Sequence, residues 1–352
     1  MRRLSALAAV VLTVVLGSSS AAWACGSLVA PNGAVALLRT TTLVAYHDGV
    51  EHYVTNFEFA SPETSFGSVI PLPAEPTEVE RAGDWTLQRL EQEVAPPAPE
   101  VLAAEDAARA PAGRVDVLRQ TRIGSLDVTI LRGGGADVAR WAAEQGFAFR
   151  DDGPRVLEFY SRRSPYFMAA KFDAAAAVAD GFDDGDGIPV HLTIPVDHPW
   201  VPLHILATDK FEEEVVQADV FLLTDEAPSL LAGPGLTLER SEPAGDDLLG
   251  DLRSDERSEW VPDAGWLSFL KLEAPAGDLT YDLAVDVEGD RPEVADTGLD
   301  DATGLVALGP AKLPAPDDDG WPWQGTVVLG AAALFLAATA WVVLRPPAAM
   351  TR

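Results

Sequence analysis

The stretch whose composition best suits chemistry is residues 180 to 187, an acidic run with the sequence D-G-F-D-D-G-D-G. Carboxylates two residues apart, followed by a glycine at the sharp turn, are typical of a calcium-binding loop. Aligning Gly187 with that glycine places Asp184 and Asp186 at ligand positions. The first ligand position then falls on Phe182, and the distal glutamate of such loops is missing. We therefore expect a solvated turn without a cofactor, in which Asp184 and Asp186 are weak metal candidates.

Two histidines lie in the string H-D-G-V-E-H, residues 47 to 52, which resembles an inverted zinc-peptidase motif with one residue too many. That motif needs a helix to bring its histidines to one side, and Asp48-Gly49 breaks a helix here. We interpret His47 and His52 as solvent-side residues of two adjacent strands rather than as metal ligands. Neither G-x-S-x-G nor H-E-x-x-H, which mark common hydrolases, occurs in the chain.

The single cysteine of the chain, Cys25, follows Ala22-Trp23-Ala24. A lone cysteine cannot form an intramolecular disulfide, so stability must come from an ordinary core. A cysteine at a mature N-terminus suggests lipidation, but the branched aliphatic residue of a lipobox is missing three positions back. We expect a thiol that is unmodified or in a mixed disulfide, with lipidation as the alternative.

Apolar segments bracket the chain. Arg2 and Arg3 precede a thirteen-residue apolar run that is too short to span a bilayer, and small residues at 22 and 24 suit signal peptidase. Near the other end, residues 326 to 344 carry no charge and would make roughly 28 Å of helix. Tryptophans precede this run and Arg345 follows it, as at a membrane interface. The sequence predicts a cleaved signal peptide and one transmembrane helix.

The predicted organisation begins with a signal peptide at residues 1–24 and an extracytoplasmic α+β domain at 25–290. An acidic stalk rich in proline and glycine follows at 291–324, then a transmembrane helix at 325–344 and a short tail at 345–352. Arg345 and Arg352 follow the helix, and such cations remain on the cytoplasmic side. We expect a single-pass protein of the cell membrane, with its N-terminal domain outside and its C-terminus in the cytoplasm.

Acidic residues number 55 against 25 basic ones, which gives a formal net charge of −30. The signal and anchor segments contain arginines and no carboxylates, so the domain between them is more acidic still. Such a field repels nucleic acid and anionic lipid headgroups. The expected partners are the membrane, through the C-terminal helix, and an extracytoplasmic protein or ligand of unknown identity, without nucleic acid.

The clearest β pattern lies between Leu37 and Pro76, where Asp48-Gly49 separates two alternating runs and predicts a two-residue hairpin turn. Pairing outward from the turn puts three pairs on one apolar face, namely Tyr46 with Glu51, Val44 with Tyr53 and Thr42 with Thr55.

Further apolar runs predict strands at residues 66–72, 115–118, 126–131, 166–172, 190–196, 200–207, 215–223, 266–272 and 279–287. We expect 200–207 to pair with 190–196, 279–287 to pair with 266–272, and 215–223 to be central. Short helices are predicted after Asp84, at 137–145 and at 154–162. The chain is therefore predicted to be α+β, with a mixed, mostly antiparallel sheet, a few short helices and the transmembrane helix.

Several phrases, in this order, resemble an exported bacterial family. They are the Cys25-Gly26 start, S-F-G-S-V-I-P-L-P-A-E-P at 65 to 76, the segments at 126 to 147 and 164 to 172, and I-P-V-D-H-P-W-V-P-L-H-I-L-A at 194 to 207. The family is domain of unknown function 2330, and the resemblance covers roughly residues 24 to 310. It implies architecture and location, and it supplies no catalytic residues because the family has no established activity.

The sequence thus favours a membrane-anchored extracytoplasmic binding or accessory domain of unknown ligand. The alternative is an extracytoplasmic hydrolase that uses carboxylates whose positions the sequence does not reveal. Buried carboxyl groups with raised pKa values in one cleft would favour the hydrolase. A broad apolar surface patch would favour the binding domain.

Overall fold

The computed structural model describes residues 27–29, 40–58, 67–94, 116–147, 149–150, 152–173, 176 and 187–308, all within a compact unit that ends at Pro310. Several sequence predictions lie outside these residues: the signal peptide, Cys25, the Asp184 and Asp186 candidates, the end of the stalk, the transmembrane helix at 325–344 and the tail at 345–352. Among the helices that are described, none combines the length and the apolar character needed to cross a bilayer.

The largest sheet has seven strands. In spatial order they are β13 (Leu236–Pro243), β14 (Trp266–Pro275), β11 (Val215–Thr224), β2 (Thr40–His47), β3 (Val50–Glu58), β9 (Gly187–Pro195) and β5 (Glu78–Arg81). Strand β11 lies between β14 and β2, which confirms the prediction that residues 215–223 are central. Within the described sheets, β2 and β11 form the one parallel pair.

The hairpin of β2 and β3 forms as the sequence predicts. Asp48 and Gly49 have φ angles of 50° and 77°, which the two-residue turn requires. All three predicted cross-strand pairs are observed, with Tyr46 opposite Glu51, Val44 opposite Tyr53 and Thr42 opposite Thr55. The prediction succeeds because the turn fixes the register and the apolar pattern fixes the face.

A second sheet has five antiparallel strands. They are β1 (Ser27–Val29), β4 (Gly67–Leu72), β8 (Tyr166–Phe172), β7 (Leu126–Arg132) and β6 (Asp116–Ile123). Helices α2 (Gly135–Glu144) and α3 (Gly153–Ser161) pack on it, close to the predicted bounds. The two helices approach so closely that a methyl group on Gly135 would meet the α3 backbone at Leu157 and Glu158. Their apolar faces join the core that this sheet shares with the seven-stranded one.

Two predicted strand pairings are wrong. Residues 200–207 contain a two-residue strand, β10 (Trp200–Val201), and a 3₁₀ helix (His204–Ala207), and β10 pairs with β15 (Leu283–Asp286) instead of β9. Likewise β14 pairs with β11 and β13, whereas β15 belongs to a third, four-stranded sheet. That sheet also contains β12 (Ser229–Ala232) and β16 (Val306–Leu308). Because β16 pairs with β12, part of the range predicted as a stalk is folded.

The outer face of the seven-stranded sheet is covered by α1 (Thr86–Val94) and α4 (Asp246–Ser254), which form a separate apolar cluster with it. The predicted cap of α1, Asp84, instead pairs with Arg81. Asp255 fills the capping role, because its carboxylate accepts hydrogen bonds from the Trp85 amide and the Thr86 hydroxyl. The described residues therefore confirm a sheet-rich, mostly antiparallel α+β fold with four helices.

Candidate functional site

The interpretation of His52 as a solvent-side residue is wrong. Its Nδ1 lies 2.9 Å from Nε2 of His191 on the neighbouring strand, and Nδ1 of His191 lies 3.2 Å from the Glu80 carboxylate. The Trp260 ring stacks on both imidazoles, with centroids 4.6 and 5.1 Å away. His52 is half-buried because the segment that carries Trp260 covers this end of β3 and β9, which the local pattern of β3 does not reveal. His47, by contrast, is 44% exposed and pairs with Asp225.

The chain of contacts from Glu80 through His191 to His52 fixes one arrangement of protons. Burial lowers the pKa values of His52 and His191 to about 4, so both imidazoles are neutral at pH 7. If Nδ1 of His191 donates to Glu80, its Nε2 accepts from Nδ1 of His52, and Nε2 of His52 keeps a lone pair. A base of such low pKa is weak near neutral pH. In the described ranges no group of three or more metal-ligating side chains could hold an ion.

Glu51 is a second buried titratable group. Its side chain is fully buried on β3, and one oxygen accepts a 2.8 Å hydrogen bond from the Trp200 amide. The other oxygen has no hydrogen-bond partner within the part of the chain that the structure describes. Burial raises the pKa of Glu51 to about 8, so this carboxyl group is protonated at neutral pH. The hairpin register already placed this glutamate on the apolar face, which was the available signal in the sequence.

A buried carboxylate, Asp282, fixes the 3₁₀ helix that follows β10. It accepts hydrogen bonds from Tyr160 Oη at 2.7 Å, Arg163 Nη1 at 2.5 Å, Trp200 Nε1 at 3.1 Å, and the amides of Leu203 and His204 at 2.8 and 3.1 Å. The Tyr160 hydroxyl in turn accepts from the Ile205 amide at 2.9 Å. With both charges and all donors satisfied, this network holds the His204 backbone in place.

His204 lines a cleft of about 300 Å³, which is at the small end of ligand-binding pockets. Three parts of the fold form its walls: the start of α3, the 3₁₀ helix with the loop after it, and the turn at residues 276–280. The lining side chains that carry a charge are Asp152, Arg155, Lys210 and Glu212. The His204 Nδ1 atom is buried and has no hydrogen-bond partner among the described residues. Burial also lowers the pKa of His204, which favours the neutral form of the ring.

Asp209 lies beside this cleft. Its carboxylate accepts from the Arg150 amide at 2.7 Å, and its own amide lies 3.3 Å from the Asp152 carboxylate. Burial raises the pKa of Asp209 to about 6, although the Arg150 hydrogen bond opposes the shift. Over the described ranges, Asp209 and Glu51 are the carboxyl groups with a raised pKa, and Glu51 contacts Trp200 rather than the cleft.

The large apolar side chains exposed on the described surface are few: Val117, Leu118, Phe211, Val215 and Val306. They belong to three separate places, strand β6, the segment before and at the start of β11, and strand β16. The described surface therefore does not present the broad patch that would favour docking of a protein partner.

The residues of the histidine and cleft sites come from distant parts of the chain. Asp184, Asp186 and Cys25 lie outside the described residues, so their predicted roles stay predictions. The cleft residues were not singled out from sequence, because Arg155 and His204 meet only through the packing of α3 against the 3₁₀ helix. No short motif connects them.

Comparisons with known proteins identify a family and little else. The family model described as an uncharacterized protein conserved in bacteria (DUF2330) matches residues 19–218. Curated proteins give no match to the sequence. A solved structure, that of baculovirus P35, aligns over 81% of this chain and 97% of its own at 10% identity, with a TM-score of 0.36. At that level of similarity nothing about this chain can be inferred from it.

Proposed function

The chain belongs to the uncharacterized bacterial family DUF2330, whose model matches more than half of it, and we propose that it is a membrane-anchored extracytoplasmic domain that binds a ligand. The proposed organisation is the one that the sequence favours. A signal peptide at 1–24 exports the folded unit, a helix at 325–344 anchors it, and Arg345 and Arg352 keep the tail in the cytoplasm.

The cleft beside His204 is the observation that carries the binding role. A concave site of ligand size needs polar groups that converge and are not already satisfied. His204 lines the cleft, and its buried Nδ1 atom has no hydrogen-bond partner in the described structure. A buried polar atom without a hydrogen bond costs about 1 to 3 kcal/mol, which a hydrogen-bond partner would recover.

An extracytoplasmic hydrolase is the second candidate, and the raised pKa of one carboxyl group beside the cleft favours it. Asp209, whose pKa burial raises to about 6, donates its backbone amide to the carboxylate of Asp152, which lines the cleft. A carboxyl group with a raised pKa next to a second carboxyl group suits acid–base hydrolysis. The string S-F-L-K at residues 268 to 271 resembles the S-x-x-K motif but lies on β14, where residues three apart face opposite sides of the sheet.

Protease accessibility tests the proposed topology. External protease added to intact cells should remove the folded unit and spare an epitope placed after Arg352. Loss of the epitope with protection of the folded unit would overturn the orientation, and release of the whole protein by salt would overturn the anchor. Proximity labelling and pull-down from intact membranes then identify an extracytoplasmic partner.

A further inference from the structure

Charges of both signs line the cleft, which restricts the ligands that fit. Arg155 and Lys210 contribute two cations, and Asp152 and Glu212 contribute two carboxylates. Lys210 is already paired with Glu214 at 2.9 Å. Arg155 is exposed on the first turn of α3 and has no ion-pair partner in the ranges that the structure describes.

A purely anionic ligand would pair with Arg155 but would also lie against two carboxylates. A purely cationic ligand would meet the guanidinium. A molecule that carries both charges avoids either repulsion, because its carboxylate can face Arg155 in the two-pronged geometry that guanidinium favours. Its ammonium group can then face Asp152 and Glu212.

We propose that this cleft binds a small zwitterion of the α-amino-acid type, with Arg155 as the partner of its carboxylate. The volume of about 300 Å³ admits an amino acid or a dipeptide. The inference names the ligand class of the proposed binding domain and rests on that proposed function.

Isothermal titration of the full-length protein, purified in detergent, tests the inference with free L-amino acids and dipeptides as probes. The tightest probe is then repeated as its amide, which lacks the carboxylate, and as its N-acetyl derivative, which lacks the ammonium group. We expect each modified probe to bind at least about tenfold more weakly, as loss of one charged hydrogen-bonded pair predicts. Equal affinity of the three forms, or no binding by any probe, would refute the zwitterion inference.

Arg155→Gln should weaken the tightest probe at least about tenfold and should leave the affinity for its amide nearly unchanged. Arg162→Gln is the matched control, since Arg162 is an exposed arginine at the other end of the same helix and bonds to the Glu158 carbonyl. Equal effects of the two substitutions would contradict the role of Arg155. Failure to bind zwitterions leaves the topology result intact, and an inverted topology leaves the binding result intact, so the two proposals fail separately.

Discussion

Replacing Glu51 with glutamine should stabilise the folded unit at neutral pH. The side chain is fully buried on β3, with one oxygen bonded to the Trp200 amide and the other without a partner among the described residues. No cation pairs with it in that part of the chain. Glutamine has nearly the shape of the protonated carboxyl group and keeps the acceptor for Trp200, but it cannot ionise.

Ionisation of Glu51 costs stability because the unfolded chain loses this proton first. The carboxyl group ionises near pH 4.5 when it is free, whereas burial raises its pKa in the fold to about 8. The contribution of the protonated Glu51 side chain to the free energy of unfolding is therefore fully present below pH 4.5 and is lost as the pH rises towards 8. Each pH unit in this interval lowers the free energy of unfolding by about 1.4 kcal/mol, so the loss at pH 7 is roughly 3 kcal/mol.

Urea unfolding of the wild-type and Glu51→Gln proteins at pH 5, 7 and 8, followed by tryptophan fluorescence, measures this difference. We expect the variant to be more stable by roughly 3 kcal/mol at pH 7 and nearly equal to wild type at pH 5. Glu78→Gln is the matched control, because Glu78 is an exposed glutamate of the same sheet, and it should follow the wild-type pH profile. A Glu51→Gln protein that is less stable at pH 7, or that keeps the wild-type profile, would refute the reasoning.

Four further predictions concern other positions. Burial lowers the pKa of His191 from 6.5 to about 4, so the contribution of the neutral ring to the free energy of unfolding is lost as the pH falls through this interval. In urea titrations, wild type should lose about 3 kcal/mol more of this free energy than His191→Phe between pH 6.5 and 4. Gly49→Val strains a position with a φ angle of 77° and should lower the free energy of unfolding by about 1 to 3 kcal/mol. Asp282→Ala removes the carboxylate partner of Arg163 and should cost about 3 to 5 kcal/mol by the same assay. Calcium and magnesium should shift the melting temperature alike, and a calcium-specific rise that Asp184→Ala and Asp186→Ala abolish would instead reveal a ligand loop.

Local patterns predicted the parts of the fold that are built locally. The Asp48-Gly49 turn fixes its own register, so all three pairs of the β2–β3 hairpin followed from sequence. Helices α2 and α3 were placed within two residues of their ends, because glycine and proline mark helix boundaries. The most apolar run of the predicted domain, at 215–223, became the buried centre of the largest sheet.

The local sequence pattern does not specify which distant segments of the chain contact each other. Strand β10 has two residues, and the Trp200 and Asp282 side chains join this segment to the one before β15, more than 80 residues later. The neighbours of His52 are equally distant, since His191 and Trp260 reach it through strand pairing and a covering loop. Sequence alone shows a histidine at an outward position of a strand, and only tertiary packing reveals whether another element covers it.

The parallel pairing of β2 with β11 bears on how the chain acquires its structure. Residues 40–46 pair with residues 218–224, so a chain that emerges from its N-terminus would keep the β2 edge of the early hairpin open while about 170 residues follow. An open edge of apolar strand invites intermolecular pairing, which makes that interval the stage most exposed to aggregation. A fragment that ends at residue 218, where the family match ends, would lose nearly all of this ladder. Such a fragment should therefore associate with itself, whereas a fragment continued through β14 supplies the strands that cover the edge.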